Sequence, residues 1–459
     1  MNRLPPETLS HIARCTLDEH SVDATSIIPL THVCRYWRES IVSTPANWAL
    51  ISNERERIGL TRLSLQRCKA APLELRINVF RIRGNPEFPV LITPYIQNTE
   101  TLHLHSDSPD ELAQALPNPL QPMPNLRSLS LSGNAGWDQS IDPFGPLMLL
   151  TPALTHLSLT YTPLSPSFMN LRSLADLTIH NYNLDLRLDT LLDFLEENRS
   201  LERVALQIQF KEPLLRISLR RTAIRNRLRS LSIRSTDAMD SKALISSIAL
   251  QRGAHLEMYI FDRSSEVKTV LSIISMAHLS NLQSPTHTEY NSGDNCVRLL
   301  GPNGSFSYTS AFDLNPLAEL PLPSLAAIRT FCYVGRTRSV FGSPDPFLFA
   351  SSSLPVLEAF SVKCEVAMSN LFSALFSNPS SSPSLKVLAF LDCDLDEGFM
   401  SALTRFASDR KRTTSAWLRR VVIVSSEGNF PRAASIHGLG EHVSVVDVWT
   451  DKRLPTDLI

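Results

Sequence analysis

The stretch Leu126-Arg-Ser-Leu129-Ser-Leu131 decides the fold, because it has apolar residues at its first, fourth and sixth positions and the same spacing returns along the chain. From Leu126 to Leu256 the first apolar position recurs every 20 to 28 residues, and from Ile328 to Val443 it recurs every 25 to 33 residues. Regular recurrence of this kind indicates stacked structural units. The clearest copies begin at Leu126, Leu154, Leu174, Leu201 and Leu228.

Each copy is predicted to form one short β-strand. Successive side chains of a strand point to opposite faces, so the second and third apolar positions of a copy share one face. A single strand cannot cover that face, and we expect the copies to stack with parallel strands and return segments behind them. Apolar residues at spacings of three and four favour helices in five of these return segments: 188–197, 242–250, 266–279, 369–376 and 396–407.

The repeated pattern resembles the leucine-rich repeat over residues 99–449. The longer consensus of that family adds an Asn or Cys that bonds the turning backbone, and Asn134 and Cys393 stand at this position. At the same place Thr162-Pro163-Leu164 keeps only the final leucine. The resemblance implies an α/β fold, an irregular leucine-rich-repeat solenoid with a parallel concave sheet. A mixed α/β domain with leucine-rich strands is the alternative.

One interval breaks the spacing, since 72 residues separate the copies that begin at Leu256 and Ile328. Two β-prone runs in this interval flank Gly301-Pro302-Asn303-Gly304, which predicts a hairpin insertion at 295–310. We expect the hairpin to widen a return segment. Its loop lacks the Lys-Ser/Thr of a phosphate-binding loop, so we expect neither a nucleotide nor any other cofactor.

Residues 1–50 do not share the repeat and are predicted to form a separate helical module. Pro5 and Pro6 suit a first helical turn, and Glu7 is favourable at the positive end of the helix dipole. A second helix is predicted over 30–43, ending before Pro45 because the residue before a proline resists helical geometry. Residues 51–98 are expected to form a linker and the N-terminal entry to the repeats, and 450–459 a tail.

Two motifs of this module, taken together, are similar to an F-box. The first is Leu4-Pro5-Pro6-Glu7-Thr8-Leu9-Ser10-His11-Ile12. The second runs from Leu30 to Ile41 around the core Val33-Cys34-Arg35-Tyr36-Trp37-Arg38 and is closed by Thr44-Pro45-Ala46-Asn47-Trp48. The resemblance implies a substrate adaptor of an SCF-type ubiquitin ligase. Its F-box would dock on a Skp-type adaptor held by a cullin scaffold, and the repeats would hold a protein substrate.

Adaptor binding is carried over to apolar residues of the two motifs, because interface energy concentrates in a few buried anchors. These residues are Leu4, Pro5, Leu9, Ile12, Val33 and Trp37. Trp37 has a second interpretation as core of the module itself. Thr8 stands where the family usually has an aliphatic residue, and the segment 15–28 is longer than usual. The alternative function is therefore a leucine-rich-repeat interaction scaffold with a degenerate F-box that does not recruit the ligase.

The same period of two identifies the strand positions that would line the concave face and bind the substrate. These positions are mainly polar in the first copies and mainly apolar in the last ones. The candidates are His156, Asp176, His180, Arg203, Arg234, Val387, Leu391, Arg420 and Val422. An exposed apolar patch on the last copies would mark a partner site. The alternative is that a loop or the tail 450–459 covers this patch.

Composition and motifs exclude several classes of function. The 44 Lys and Arg residues balance 45 Asp and Glu residues, so no overall field favours nucleic acid or an anionic membrane. The opening residues lack an uninterrupted apolar run, and the seven cysteines lack zinc-site spacing. His103 and His105 share a strand face but have no identifiable third ligand. We expect a cytoplasmic or nuclear protein without a bound metal.

No motif typical of a catalytic site stands out, so the protein is not expected to be an enzyme. The basic run 410–412 precedes the hydroxyl-bearing run 413–415. Three interpretations of this stretch are open: a nuclear signal, a phosphorylation site, or a solvated helix end.

Overall fold

The structure is a computed structural model that divides into two units, unit 1 (Met1–Arg216 with Ile224–Leu228) and unit 2 (Ile217–Ala223 with Arg229–Ile459). The residues that it describes are 4–16, 24–54, 57–82, 84–108, 122–133, 151–181, 187–208, 224–225, 227–236, 238–251, 253–260, 287–291, 296–301, 304–310, 327–335, 354, 356–364, 382–393, 395–413, 417–425 and 431–449. The predicted helices at 266–279 and 369–376, Asn134 and the tail 450–459 lie outside these residues.

Unit 1 begins with a helical module. Its elements are α1 (Pro6–Thr16), 3-10 turns at Ala24–Ile27 and Pro29–His32, α2 (Arg35–Ser43) and a 3-10 turn at Pro45–Trp48. The predicted second helix is wrong in its first residues, because Cys34 is extended (φ −160°, ψ 172°) and separates the turn from α2. The Arg38 side chain bridges this break by donating from Nε to the Thr31 carbonyl at 2.9 Å.

Apolar residues from all parts of this module meet in one core. Leu9 of α1, Ile41 of α2 and Trp48 of the last turn are all buried. The Trp48 indole donates to the Ile41 carbonyl at 3.2 Å, which satisfies its buried N–H group. The Arg67 guanidinium lies 4.3 Å from the centre of a Trp48 ring and ties the module to the next helix.

The sheet of unit 1 is parallel, and its strands pair in chain order. The strands are β1 (Leu50–Ser52), β2 (Leu73–Asn78), β3 (Thr99–His105), β4 (Ser128–Ser132), β5 (His156–Thr160), β6 (Asp176–Asn181) and β7 (Arg203–Ile208). A short strand, β8 (Ile224–Arg225), follows them.

Residues 51–98, expected as a linker and as the N-terminal entry to the repeats, contribute strands to this sheet, which begins at Leu50. Their helices are α3 (Ile58–Cys68), α4 (Val79–Ile82) and α5 (Glu87–Ile92), followed by a 3-10 turn at Thr93–Asn98. The physical reason is period-two burial in β2, where Leu73, Leu75 and Ile77 all enter the buried layer. Further along, a 3-10 turn forms at Pro166–Asn170 and α6 (Leu188–Glu197) forms where the sequence predicts a helix.

Unit 2 is also built on parallel strands, with an irregular centre that contains antiparallel pairs. Its strands are β9 (Ser230–Ser235), β10 (Ile248–Ala249), β11 (His255–Ile260), β12 (His287–Asn291), β13 (Cys296–Gly301), β14 (Gly304–Ser310), β15 (Thr330–Gly335), β16 (Ala359–Cys364), β17 (Val387–Leu391), β18 (Arg420–Val424) and β19 (Val445–Trp449). Its helices are α7 (Ala238–Ser247), α8 (Glu397–Thr413) and α9 (Ala433–Gly440), of which α7 and α8 overlap predicted helices.

The predicted hairpin is formed by β13 and β14, but it does not widen a return segment. It lies inside the sheet, in the order β11-β14-β13-β12-β15, with β13 antiparallel to both of its neighbours. Val297, Leu299 and Phe306 explain this position, because their buried side chains extend the apolar layer of the neighbouring parallel strands.

The turn after the strand has the same geometry in both units. Tyr161 and Asp392 occupy equivalent repeat positions, and both have left-handed backbone conformations (φ 52° and 51°). Next to them, the Thr162 hydroxyl donates to the Leu131 carbonyl at 3.4 Å, and the Cys393 thiol makes the equivalent contact to Val362 at 3.4 Å. The Thr162 hydroxyl thus makes the hydrogen bond to the turning backbone that the consensus Asn or Cys makes. The fold is α/β with a large parallel sheet and is consistent with a leucine-rich-repeat-like architecture.

Candidate functional site

The sheet face opposite the buried apolar layer, here called the outward face, carries the predicted substrate-binding residues. In unit 1 it is polar, because serine, threonine, histidine and charged residues alternate with the buried leucines. Register places residues of neighbouring strands side by side, so Ser128, His156, Asp176 and Arg203 form one continuous row across the sheet. Strands lie about 4.8 Å apart, so the row spans about 14 Å.

Asp176 is the centre of this row. Its Oδ2 atom accepts from Arg203 Nη2 at 2.6 Å and lies 2.5 Å from His156 Nε2. The carboxylate raises the pKa of the Arg203 guanidinium, chiefly through this hydrogen bond. Arg203 remains 64% exposed, so most of its donor surface faces solvent while Asp176 is held from both sides. Three predicted residues are thus brought together in one cluster, the Asp176 cluster.

A second cluster, which the sequence did not single out, lies on β2 and β3. Glu74 Oε1 is 2.7 Å from Arg76 Nη2 and 3.5 Å from His103 Nε2. The hydrogen bond from His103, helped by Arg76, holds the pKa of the Glu74 carboxyl below its ordinary value although partial burial raises it. The alternation in Leu73-Glu-Leu-Arg-Ile-Asn78 is the signal that could have placed Glu74 and Arg76 on this face.

Histidines also lie in the row that register forms from His105, Ser132, Thr160, His180 and Gln207. His180 Nδ1 lies 2.6 Å from Gln207 Oε1, and His105 Nδ1 lies 2.9 Å from Ser132 Oγ. Hydroxyl and imidazole groups both donate and accept hydrogen bonds, and the side chains between them are small. The outward face of unit 1 can therefore make many directed hydrogen bonds to a polypeptide that lies across it.

The predicted residue Arg234 lies on the outward face of unit 2 and is exposed. Its guanidinium is 6.0 Å from the centre of the Tyr259 ring on the adjacent strand. The neighbouring Ser232 hydroxyl donates to Glu257 at 2.8 Å, so this part of unit 2 resembles the polar face of unit 1.

The apolar residues predicted on the outward face of the last strands do not form an exposed patch, so the structure favours the alternative in which this face is covered. Leu391 and Val422 do face outward, but both are buried, together with Ala389 and Val424, in one hydrophobic cluster. Val422 is 0% exposed, which excludes it from direct contact with a partner in this conformation. Burial of large apolar side chains on this face is favourable because it removes them from water.

The two other candidates of this region border the cluster. Val387 is half-buried, and the Arg420 Nε atom lies 2.6 Å from Asp447 Oδ2 in a half-buried ion pair between neighbouring strands. Val387 and Arg420 therefore stay partly accessible at the edge of this hydrophobic cluster.

The candidate adaptor-binding residues divide into an exposed and a buried group. Leu4 and Val33 are 43% and 58% exposed, and Pro5 is exposed as well. Ile12 and Trp37 are half-buried. Leu9 is 1% exposed, which corrects its assignment to the docking surface, because α1 turns this side chain into the module core.

The basic run at the end of α8 is not a uniformly solvated helix end. Arg410 is buried, and its guanidinium donates to the carbonyls of Ser382, Pro383 and Leu385. Burial lowers the pKa of Arg410, yet the three carbonyl acceptors hold it in place before β17. Arg412 is exposed.

Among the described residues, no group of three or more His, Cys, Asp or Glu residues is arranged to hold a metal ion. The helices in the described part of the chain are also too short or too polar to cross a lipid bilayer.

Comparisons with known proteins add little to this geometry. No family model matches the chain, and no curated protein matches it. Among solved structures, a leucine-rich repeat-containing protein, LegL7 from Legionella pneumophila, is similar over 76% of this chain and 83% of that chain. The identity is 12% and the TM-score is 0.22, values too low to support an argument about function.

Proposed function

We propose that the protein is a non-catalytic substrate-recognition subunit of an SCF-type ubiquitin ligase. In this role the helical module docks on a Skp-type adaptor, which a cullin scaffold carries, and the sheet units hold a protein substrate. Transfer of ubiquitin is then accelerated by proximity, without chemistry on this chain.

The observation that carries the proposal is the division of the module into core and surface. Leu9, Ile41 and Trp48 hold the module together from inside, while Leu4 and Val33 of the two F-box-like motifs remain in solvent. Apolar residues that the fold does not use, at the positions where the resemblance puts adaptor contacts, favour a docking surface.

The polar outward face of unit 1 supports the second half of the proposal. Its clusters around Glu74 and Asp176 hold charged groups in defined positions, which favours specificity more than affinity. Proteins that accumulate in cells when residues 1–50 are deleted would identify the substrate, because the shortened chain could still bind it but not deliver it.

Binding of a purified Skp-type adaptor to the full chain tests the proposal. We expect Val33→Asp to abolish binding, since it introduces a charge into an apolar interface. Val90→Asp is the matched control, because Val90 is a 72% exposed valine on α5 outside both motifs. Equal adaptor affinity in the two variants would refute docking through this surface.

One observation favours the alternative, an interaction scaffold with a degenerate F-box. Thr8 is exposed on α1, so a polar side chain stands where the resemblance expects an aliphatic contact. Absence of adaptor binding by the well-folded, unaltered chain would support the scaffold and overturn the ligase role.

A further inference from the structure

A side-chain hydrogen bond joins the two F-box-like motifs at the surface of the module. The Tyr36 hydroxyl on α2 donates to the carbonyl oxygen of Leu4 at 2.8 Å, across 32 residues of sequence. Tyr36 lies next to Trp37 and three residues after Val33, and Leu4 lies next to Pro5. The hydrogen bond therefore connects residues from both halves of the proposed docking surface.

The first of these halves lies outside the buried core of the module. Leu4 and Pro5 precede α1 and are exposed, whereas α1 is anchored further along by Leu9 and Ala13. The first helical hydrogen bond runs from the Leu9 amide to the Pro5 carbonyl at 3.1 Å, so the Leu4 carbonyl lies just outside the helix. The Tyr36 hydroxyl supplies the donor to this carbonyl.

Tyr36 is itself on a rigid element. It belongs to the first turn of α2, and its own carbonyl accepts from Ser40 Oγ at 2.9 Å. Ile41 anchors the same helix in the module core. A donor placed on a packed helix can hold an exposed extended segment in one position.

We propose that Tyr36 is a positioning residue for adaptor docking. Its hydroxyl holds Leu4 and Pro5 beside α2, so that the two motifs present one preformed apolar surface. Preorganisation raises affinity because less conformational freedom is lost on binding. This inference rests on the proposed function, and it adds a polar residue to a surface that the resemblance describes only by apolar ones.

The test compares Tyr36→Phe with the unaltered full chain in calorimetric titrations with a purified Skp-type adaptor. Loss of one neutral hydrogen bond is expected to weaken adaptor binding about five-fold and to speed amide exchange in residues 4–9. Tyr95→Phe is the matched control, since Tyr95 is a half-buried tyrosine elsewhere in unit 1, and no change is expected.

A second pair of chains separates positioning from a general effect on the module. In a chain that begins at Pro5, produced by proteolytic removal of an N-terminal tag, no carbonyl precedes Pro5, so the acceptor is gone and Tyr36→Phe should cause no further loss of affinity. An equal loss with and without residues 1–4, or unchanged affinity in the full-length variant, would overturn the role of Tyr36 alone. Absence of adaptor binding by the unaltered folded chain would overturn the proposed function together with it.

Discussion

Replacement of Arg410 by Met is the sharpest test of how unit 2 is held together. The side chain keeps about the same volume but loses hydrogen bonds of 3.0 Å to both Ser382 and Leu385, and one of 3.4 Å to Pro383. Hydrogen bonds from a charged group contribute about 1.5–3 kcal/mol each, so the two short ones together are worth roughly 3–6 kcal/mol. Relief of the burial cost of the guanidinium offsets part of this loss, and we expect a net destabilisation of about 2 kcal/mol.

Hydrogen exchange of the segment 382–391 is the suitable assay, because a chain of two units need not unfold in one step. About 2 kcal/mol corresponds to roughly 30-fold faster exchange where amides exchange through the opening of this region. Arg412→Met provides the control on the same helix, since Arg412 is exposed and its replacement should change stability by less than about 0.5 kcal/mol.

Equal exchange rates in the Arg410 and Arg412 variants would refute the reasoning. Such a result would mean that water hydrogen-bonds the carbonyls of Ser382, Pro383 and Leu385 as well as the guanidinium does. The buried Arg410 would then make no net contribution to the stability of unit 2.

Three further predictions concern burial and charge elsewhere. Glu74→Gln should lower the free energy of unfolding measured in urea at pH 7. The difference in this free energy from the unaltered chain should shrink as the pH falls below about 4.3, because a carboxyl with a lowered folded-state pKa stabilises the fold only while it is ionised. Leu9→Ala should cost about 2–4 kcal/mol in thermal unfolding of the module, against less than about 0.5 kcal/mol for Val33→Ala. Val422→Glu should reduce soluble yield and circular dichroism, because it buries an unpaired charge.

Each of these predictions has a contrary outcome. A pH-independent effect of Glu74→Gln would show that ionisation of the Glu74 carboxyl does not contribute to the pH dependence of stability. Similar melting of the Leu9 and Val33 variants would contradict their different burial. A soluble, folded Val422→Glu variant would contradict the burial of Val422 and would support an exposed apolar patch at this position.

Much of the fold follows from local patterns in the sequence. The positions of Leu129, Leu157 and Leu177 predict buried strand residues because alternation puts every second side chain on the same face, and all three are buried. The same alternation places His156 and Asp176 on the outward face, where register then brings them together. The parallel sheet is predictable because each copy needs a neighbour to cover its apolar side.

The predictions from sequence fail where contacts between distant parts of the chain decide which residues are buried. A helical pattern places Leu9 and Val33 equally on apolar faces, yet the packing of α1 against α2 and the following turns buries Leu9 and leaves Val33 in solvent. Period two correctly turns Val422 outward, but it carries no information about which segment lies over that face. The strand Leu73–Asn78, in the segment expected as a linker and entry to the repeats, was not predicted because the short helices on either side of it obscure the repeat spacing.

The amino-acid sequence by itself determined the repeat, the buried layer of leucines and the side of the sheet on which each polar residue stands. These features depend on neighbours within a few residues, whose geometry the backbone dictates. Tertiary structure alone decided that Arg410 is buried, that Val422 is covered and that Tyr36 meets Leu4. Each of these contacts joins residues or segments distant in the chain, so its burial and hydrogen bonding exist only once the elements have packed.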